Sequence, residues 1–293
     1  MKAASFDYVR VDHLDAALTL LDAHGGDAKL IAGGQSLVPM MAMRLARPAL
    51  LVDIHRLTDL QGVARYTDGV STGAGVRQSQ MENHGDVIEG LPLVKQALRW
   101  VGHQQTRNRG TVGGSLVYAD PSAELPLAAM VLDAQIHIQS LAEKRVVSAA
   151  DFFLGPMFTA VGDAECLTRI DWPVWSGGRV GTAFEETAIR QGDFAMASAA
   201  CQIQLNAEGQ ILRLSLGAGG VSGTPLVFGS LTDSMIGKTL TSDMAKDLAQ
   251  AAARLCDPGS DMHAGAAYRT HLVGVLLERV LIESAKKASL NAS

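Results

Sequence analysis

Two glycine-centred turns of the same make, Ala32-Gly33-Gly34-Gln35-Ser36 and Thr111-Val112-Gly113-Gly114-Ser115, constrain this chain more than any other feature. The first follows Lys29-Leu30-Ile31, which reads as the end of a strand, and precedes residues 37–43, whose leucine and methionine content suits the start of a helix. The second again has a helical pattern behind it. Paired glycines let the backbone turn with no Cβ in the way and let a ligand approach the peptide, while the first amides of a following helix lack an intrahelical acceptor. Such a turn suits an anion. One copy often does no more than redirect the chain, but two can grip the two phosphates of a dinucleotide from opposite sides.

The flanking pattern places the first turn in an α/β unit. Leu14, Ala17, Leu18 and Leu21 share one face of a helix that begins at Asp12 and stops at Gly25-Gly26. A strand over Ala28–Ile31, a helix over 37–45 ended before Pro48, and a buried strand over 50–54 follow. The turn therefore sits at the carboxyl end of a strand, where open α/β sheets bind ligands. Residues 62–73 read as two strands around Thr67-Asp68-Gly69. Leu91, Val94, Leu98 and Val101 mark a helix with Pro92 in its first turn, and a polar, basic loop over 103–109 leads to the second glycine turn. An arginine of that loop either neutralises phosphate, holds a neighbouring subunit or forms a surface salt bridge.

Asp120-Pro121-Ser122 opens a helix that runs to about Leu132 with Glu124 in its first turn, a place the helix dipole alone favours for an acid. Strands follow over 134–139, at Val146-Val147 and over 166–170, after which residues 172–178 break all periodicity and mark a domain boundary. The last third predicts a hairpin of 199–205 with 211–216 and helices over 244–255 and 266–285, a small sheet with helices on one face. Phe194, in the polar turn 190–195, is either a core anchor or an aromatic laid against a flat ring.

A chain of 293 residues is long enough for two or three domains. Its net charge of -5 argues against nucleic acid as a partner. No apolar run approaches the ~20 residues of a membrane span, and the amino terminus lacks the pattern of a secretory signal, so a cytoplasmic protein is expected. Cys166, Cys201 and Cys256 are scattered and suggest neither a disulfide framework nor the thiolate set of an iron–sulfur cluster. Each reads as a small buried apolar residue. No nucleophile triad, metal box or catalytic carboxylate pair is visible, and neither glycine turn holds the lysine of a P-loop. The reading assigns this chain no catalytic side chain and no metal.

Taken together, Ala32 to Leu37, the run Arg107-Asn108-Arg109-Gly110 into Thr111 to Leu116, then Ala119-Asp120-Pro121 and Glu124-Leu125-Pro126, resemble the FAD-binding medium subunit of the molybdenum hydroxylases. That family includes the flavoprotein of carbon monoxide dehydrogenase, the flavin subunits of nicotine, quinoline and caffeine dehydrogenases, and the central domain of xanthine dehydrogenase. The likeness extends through strand 51–54, Asp151-Phe152-Phe153, the 190–195 turn and the helical tail. It implies an α+β fold: a vanillyl-alcohol-oxidase-type FAD-binding domain over residues 1–175, with α/β subdomains of about 1–55 and 56–175, then a smaller α+β domain over 179–286 with an antiparallel sheet plus helices.

The same resemblance implies that Lys29, Leu30, Ala32, Gly33, Gly34, Gln35 and Ser36, with Thr111, Val112, Gly113, Gly114 and Ser115, hold the FAD diphosphate through amides and hydroxyls. Asp120 and Glu124 join the site, Glu124 at an acidic position that bonds sugar-like hydroxyls. Leu167 gives a backbone contact to adenine or ring, and Asp193-Phe194 forms the turn whose aromatic, often tyrosine, stands over the isoalloxazine. With phenylalanine there, no phenolic hydroxyl is available. The implied job is electron transfer in a heterotrimer, as a dimer of heterotrimers. A large subunit hydroxylates substrate, an N-heterocycle by first choice, at a molybdenum-pterin cofactor. A small subunit relays electrons through two [2Fe-2S] clusters, and FAD hands them to an external acceptor. The rivals are a stand-alone flavin oxidoreductase and a non-catalytic FAD-binding module.

Overall fold

The computed structural model describes residues 2–291, and its chain forms three lobes, each built on its own sheet. In lobe 1, β1 (Asp7–Arg10), α1 (Leu14–His24), β2 (Ala28–Ile31), α2 (Leu37–Ala42) and β3 (Leu50–Asp53) follow one another. The strands are parallel in the order β1-β3-β2, so Ile31 and Asp53 end side by side. Leu14, Ala17, Leu18 and Leu21 of α1 bury against Ala28, Leu50 and Val52, as the periodicity requires. The helix begins two residues later than expected: His13 is its cap, with Nδ1 accepting from the Ala16 amide at 3.1 Å. The left-handed Gly25 ends it. Strand β1 carries no alternation because all four residues are exposed at the sheet edge, and α2 is shorter than its pattern suggested.

Lobe 2 contains β4 (Val63–Tyr66), β5 (Gly69–Gly73), α3 (Gln78–Glu82), α4 (Gly85–Gly90), α5 (Pro92–Leu98), α6 (Gln104–Arg107), α7 (Val112–Tyr118), α8 (Glu124–Leu132), β6 (Gln135–Gln139), β7 (Lys144–Ser148), α9 (Ala149–Phe152), β8 (Phe153–Gly155), β9 (Phe158–Thr159) and β10 (Cys166–Pro173). Its antiparallel sheet runs β4-β5-β10-β6-β7. Leu93, Leu98, Leu116, Leu125 and Leu127 pack beneath Ile136, Ile138, Ile170 and Trp172 to form the largest core. Strand β10 corrects one expectation. It continues past residue 170, because Trp172 is fully buried and its Nε1 donates to Thr72 Oγ1 at 2.8 Å. The chain leaves the sheet after Pro173 and re-enters strand structure at Arg179.

Lobe 3 comprises β11 (Arg179–Thr187), β12 (Ala197–Leu205), β13 (Ile211–Gly219), β14 (Leu226–Val227), α10 (Gly229–Asp233), α11 (Ser242–Ala253) and α12 (Ala266–Leu290). Its sheet, in that strand order, is antiparallel. One face takes α11 and α12, with Leu276, Leu277, Val280 and Leu281 over Cys201, Ile203 and Leu216. Helices α5 and α8 of lobe 2 pack against strands of the same sheet. Every residue of β12 is consequently buried, polar Ser198, Gln202 and Gln204 included.

Candidate functional site

All three lobes open onto one cleft of about 1100 Å³. The first glycine turn forms its floor at the carboxyl end of β2, where Gly34 takes a φ of +71°. Its carbonyls are used: Gln35 Nε2 donates to Gly33 O at 3.2 Å, Val38 N to Gly34 O at 3.1 Å and Met40 N to Ser36 O at 3.2 Å. Its amides are not. Those of Gly33, Gly34, Gln35 and Ser36 donate to no protein group among the described residues. Four adjacent free donors at the wall of a deep cleft are a concave nest for negative charge.

The second turn reaches the same cleft with its amides engaged. Val112 N donates to Val76 O and Gly113 N to Ala74 O, both at 2.9 Å, Gly114 N donates to Thr111 Oγ1 at 3.1 Å, and Ser115 N donates to Thr111 O at 3.1 Å. Gly113 lies so close to the β5 end that a Cβ would stand 2.8 Å from Ala74 O. Thr111 and Ser115 still bring hydroxyls, and Gly114 a bare surface, to the wall. Val112 alone of these residues does not line the cleft, and its side chain is fully buried in the lobe 2 core. The two turns touch through backbone, since a Cβ on Gly33 would fall 2.9 Å from Gly110 Cα and against the Arg109 carbonyl.

Lys29, Leu30, Ala32, Gln35, Ser36, Asp120, Glu124, Leu167, Asp193 and Phe194 all line this cleft. Lys29 also pairs with Asp163 across the lobes at 3.3 Å. Burial raises the Asp120 carboxyl, which accepts from the Ser122 amide at 2.9 Å. Burial, with the Asp120 charge adding to it, pushes Glu124 up to about 7. Phe194 is 72% exposed, so it is a wall residue and not a core anchor. The basic loop contributes bracing. Arg107 Nε pairs with Glu82 at 2.9 Å and Arg107 Nη1 donates to Val101 O at 3.0 Å, while the Arg109 carbonyl accepts from Arg77 Nη1. Neither arginine lines the cleft.

Lobe 3 adds wall residues that sequence reasoning missed. Arg269, 7% exposed in the first turn of α12, donates to Met196 O at 2.7 Å and to Asp261 Oδ2 at 2.6 Å, tying together the two loops that carry Phe194 and His263. The amides of Ala264 and His263, and after them the Arg269 guanidinium, hold the Asp261 carboxyl down at about 2. The available signal was an arginine in the first turn of a helix, the end where the helix dipole disfavours a cation. The three cysteines are free, and burial pushes the Cys166 and Cys201 thiols up to about 12. Among the described residues no cluster of three potential metal ligands occurs, and no helix is long and apolar enough to cross a membrane.

Residues 4–175 match the family model described as the FAD binding domain in molybdopterin dehydrogenase, and residues 182–284 match the CO dehydrogenase flavoprotein C-terminal domain. Subunit alpha of the 6-hydroxypseudooxynicotine dehydrogenase complex from Paenarthrobacter nicotinovorans is 35% identical, covering 98% of this chain and 97% of that protein. The glyceraldehyde dehydrogenase medium chain of Sulfolobus acidocaldarius is also 35% identical, over 97% of this chain and all of its own length. A chain in the crystal structure of quinoline 2-oxidoreductase from Pseudomonas putida 86 superimposes with a TM-score of 0.93 at 33% identity, covering 98% of this chain and 99% of that one.

Proposed function

The chain belongs to the family of FAD-binding medium subunits of the molybdenum hydroxylases, and from that premise we propose that it relays electrons from the iron–sulfur clusters of a small subunit to an external acceptor. The observation that carries the cofactor's placement is the row of four unused amides over Gly33 to Ser36, which suits a diphosphate that brings fixed negative charge and stays bound. The cleft exceeds the ~300–1,000 Å³ common for drug-sized ligands, as a dinucleotide requires. Thr111 and Ser115 offer hydroxyls to the diphosphate from the adjoining turn. Glu124 faces the sugar-like hydroxyls, the Leu167 backbone takes one end of the ligand, and Phe194 covers the ring at the other.

Bound FAD supplies the exchange between single-electron and paired-electron chemistry. The protein's own part is to bind it, orient it and exclude water. No side chain of the cleft is needed to work on the organic substrate, which is oxidised at the molybdenum centre of a large subunit. The two domains, 1–175 and 179–286, assemble with the other subunits as a dimer of heterotrimers in the cytoplasm. An N-heterocycle is the substrate class favoured by the quinoline enzyme among the relatives; the glyceraldehyde enzyme makes an aldehyde the second choice.

Reconstitution tests this reading. The purified chain should take up one FAD per polypeptide, turn over no substrate alone, and have its flavin bleached by substrate only when joined to the iron–sulfur and molybdenum subunits. A chain that stays colourless after refolding with FAD would defeat the cofactor assignment. Turnover by the isolated chain would favour a stand-alone oxidoreductase, and a bound flavin that substrate never reduces in the complex would leave a mere binding module.

A further inference from the structure

Gln78, the first residue of α3, lies where the two glycine turns meet. The backbone before it runs alongside the second turn: Val112 N donates to Val76 O and Gln78 N to Gly110 O, both at 2.9 Å. The Gln78 side chain then packs on Gly110, where a Cβ would stand 2.5 Å from Gln78 Oε1 and 3.0 Å from its Cδ. Gly110 in turn packs on the first turn, since a Cβ on Gly33 would fall 2.9 Å from Gly110 Cα. Two missing Cβ atoms thus let glutamine, second turn and first turn come together.

Gln78 is 5% exposed and lines the cleft. Its Oε1 is buried and has no hydrogen-bond partner, and no protein group among the described residues accepts from its Nε2. An amide shut into a protein wall with both ends unpaired costs free energy that methionine or leucine would not. A ligand that accepts from Nε2 removes part of that cost. The cations close by are already committed. Arg77 Nη1 donates to Arg109 O and Arg77 does not line the cleft, while Lys29 pairs with Asp163 at 3.3 Å.

We propose that Gln78 is a further cofactor-binding residue: its Nε2 donates to the FAD diphosphate where the two glycine turns meet, adding a side-chain donor to the amides of Gly33 to Ser36. This rests on the FAD reading and deepens it. Diphosphate oxygens are acceptors that carry charge, and hydrogen bonds to them are the strong kind. A neutral amide supplies such a bond with no charge of its own to desolvate. With Oε1 pressed on Gly110, the end left for the ligand is the donor.

Fluorescence titration of the purified full chain with FAD at pH 8 tests this, beside thermal unfolding of the FAD-free protein and phosphorus NMR of the FAD-bound form. Gln78→Met keeps the length and removes the donor, so the Kd should rise about tenfold, as for one hydrogen bond to a charged group. Gln78→Glu keeps the shape but turns a second negative charge toward the diphosphate, and its Kd should rise about 100-fold. A glutamine kept for structure would lower stability when replaced. Here the unfolding midpoint of FAD-free Gln78→Met should equal or exceed that of wild type, because an unsatisfied oxygen is gone. The diphosphate resonances of bound FAD should move in the same variant. Gln78→Glu carries the test if the methionine variant does not fold. Affinities within about threefold of wild type in both variants, equal losses in the two, a loss matched by a lower FAD-free midpoint, or unmoved diphosphate resonances would overturn the proposal alone. No FAD binding by wild type would overturn the cofactor reading and the proposal with it.

Discussion

The two glycine turns share a sequence pattern and a cleft but direct their amides differently. In the first, four successive N–H groups have no partner among the described residues. In the second, the corresponding groups tie α7 to the residues that follow β5 and to its own cap, Thr111. The first turn has donors to spare for charge, which is the role proposed for it, and the second is tied into the fold as a buttress of the wall beside it. Gly-Gly followed by a hydroxyl is therefore a statement about room for backbone, and which partner fills that room depends on what the fold brings alongside.

The sharpest way to break this contrast is Gly34→Val. Its Cβ would be forced into a backbone at +71° and within 3.2 Å of Val38, so the nest should deform and the Kd for FAD rise. About 100-fold is expected, ~2.7 kcal/mol, the worth of one or two hydrogen bonds to a charged group. Equilibrium dialysis against FAD measures it, and a change below about threefold would mean that the first turn is no receptor.

Gly113→Ala should do the converse. With no room beside Ala74, it should lower unfolding stability in urea by about 2 kcal/mol while the folded fraction binds FAD within about threefold of wild type. Thr111→Val removes the cap of α7 and should cost about 1 kcal/mol in the same assay. The smallest effect sharpens the boundary between the roles: Ser115→Ala should weaken FAD by about threefold, one neutral hydrogen bond, with no loss of stability. A larger loss there would make the second turn a receptor too.

How far these features were legible depends on how local their causes are. The span Glu124–Leu132 was readable because its acidic first turn and apolar run lie within the segment, and the strand Ala28–Ile31 because glycine pairs bound a short apolar run. Strand β11 was not. Arg179–Thr187 mixes glycine, threonine and glutamate, and what holds it in the sheet is the partner β12 that follows. The exposed edge strand β1 likewise owes its conformation to β3, over forty positions away in sequence. Trp172 looked like a break because proline and a second tryptophan follow, yet the Thr72 hydroxyl across the sheet satisfies its indole.

For the site, type and spacing singled out the two glycine turns and the family resemblance supplied the other residues, while the fate of each amide needed coordinates. Nothing in Val112 says that its side chain turns inward, and Phe194 could be assigned to the wall only once its surroundings were seen. Arg269 escaped notice because its partners, Met196 and Asp261, come from two separate loops.

The contact between Gly33 and the Arg109 carbonyl has a consequence for biogenesis. The wall runs from Lys29 to Arg269, so the complete cleft forms only once nearly the whole polypeptide has been made. On the FAD reading proposed above, a flavin that needs the complete cleft is inserted only after that stage.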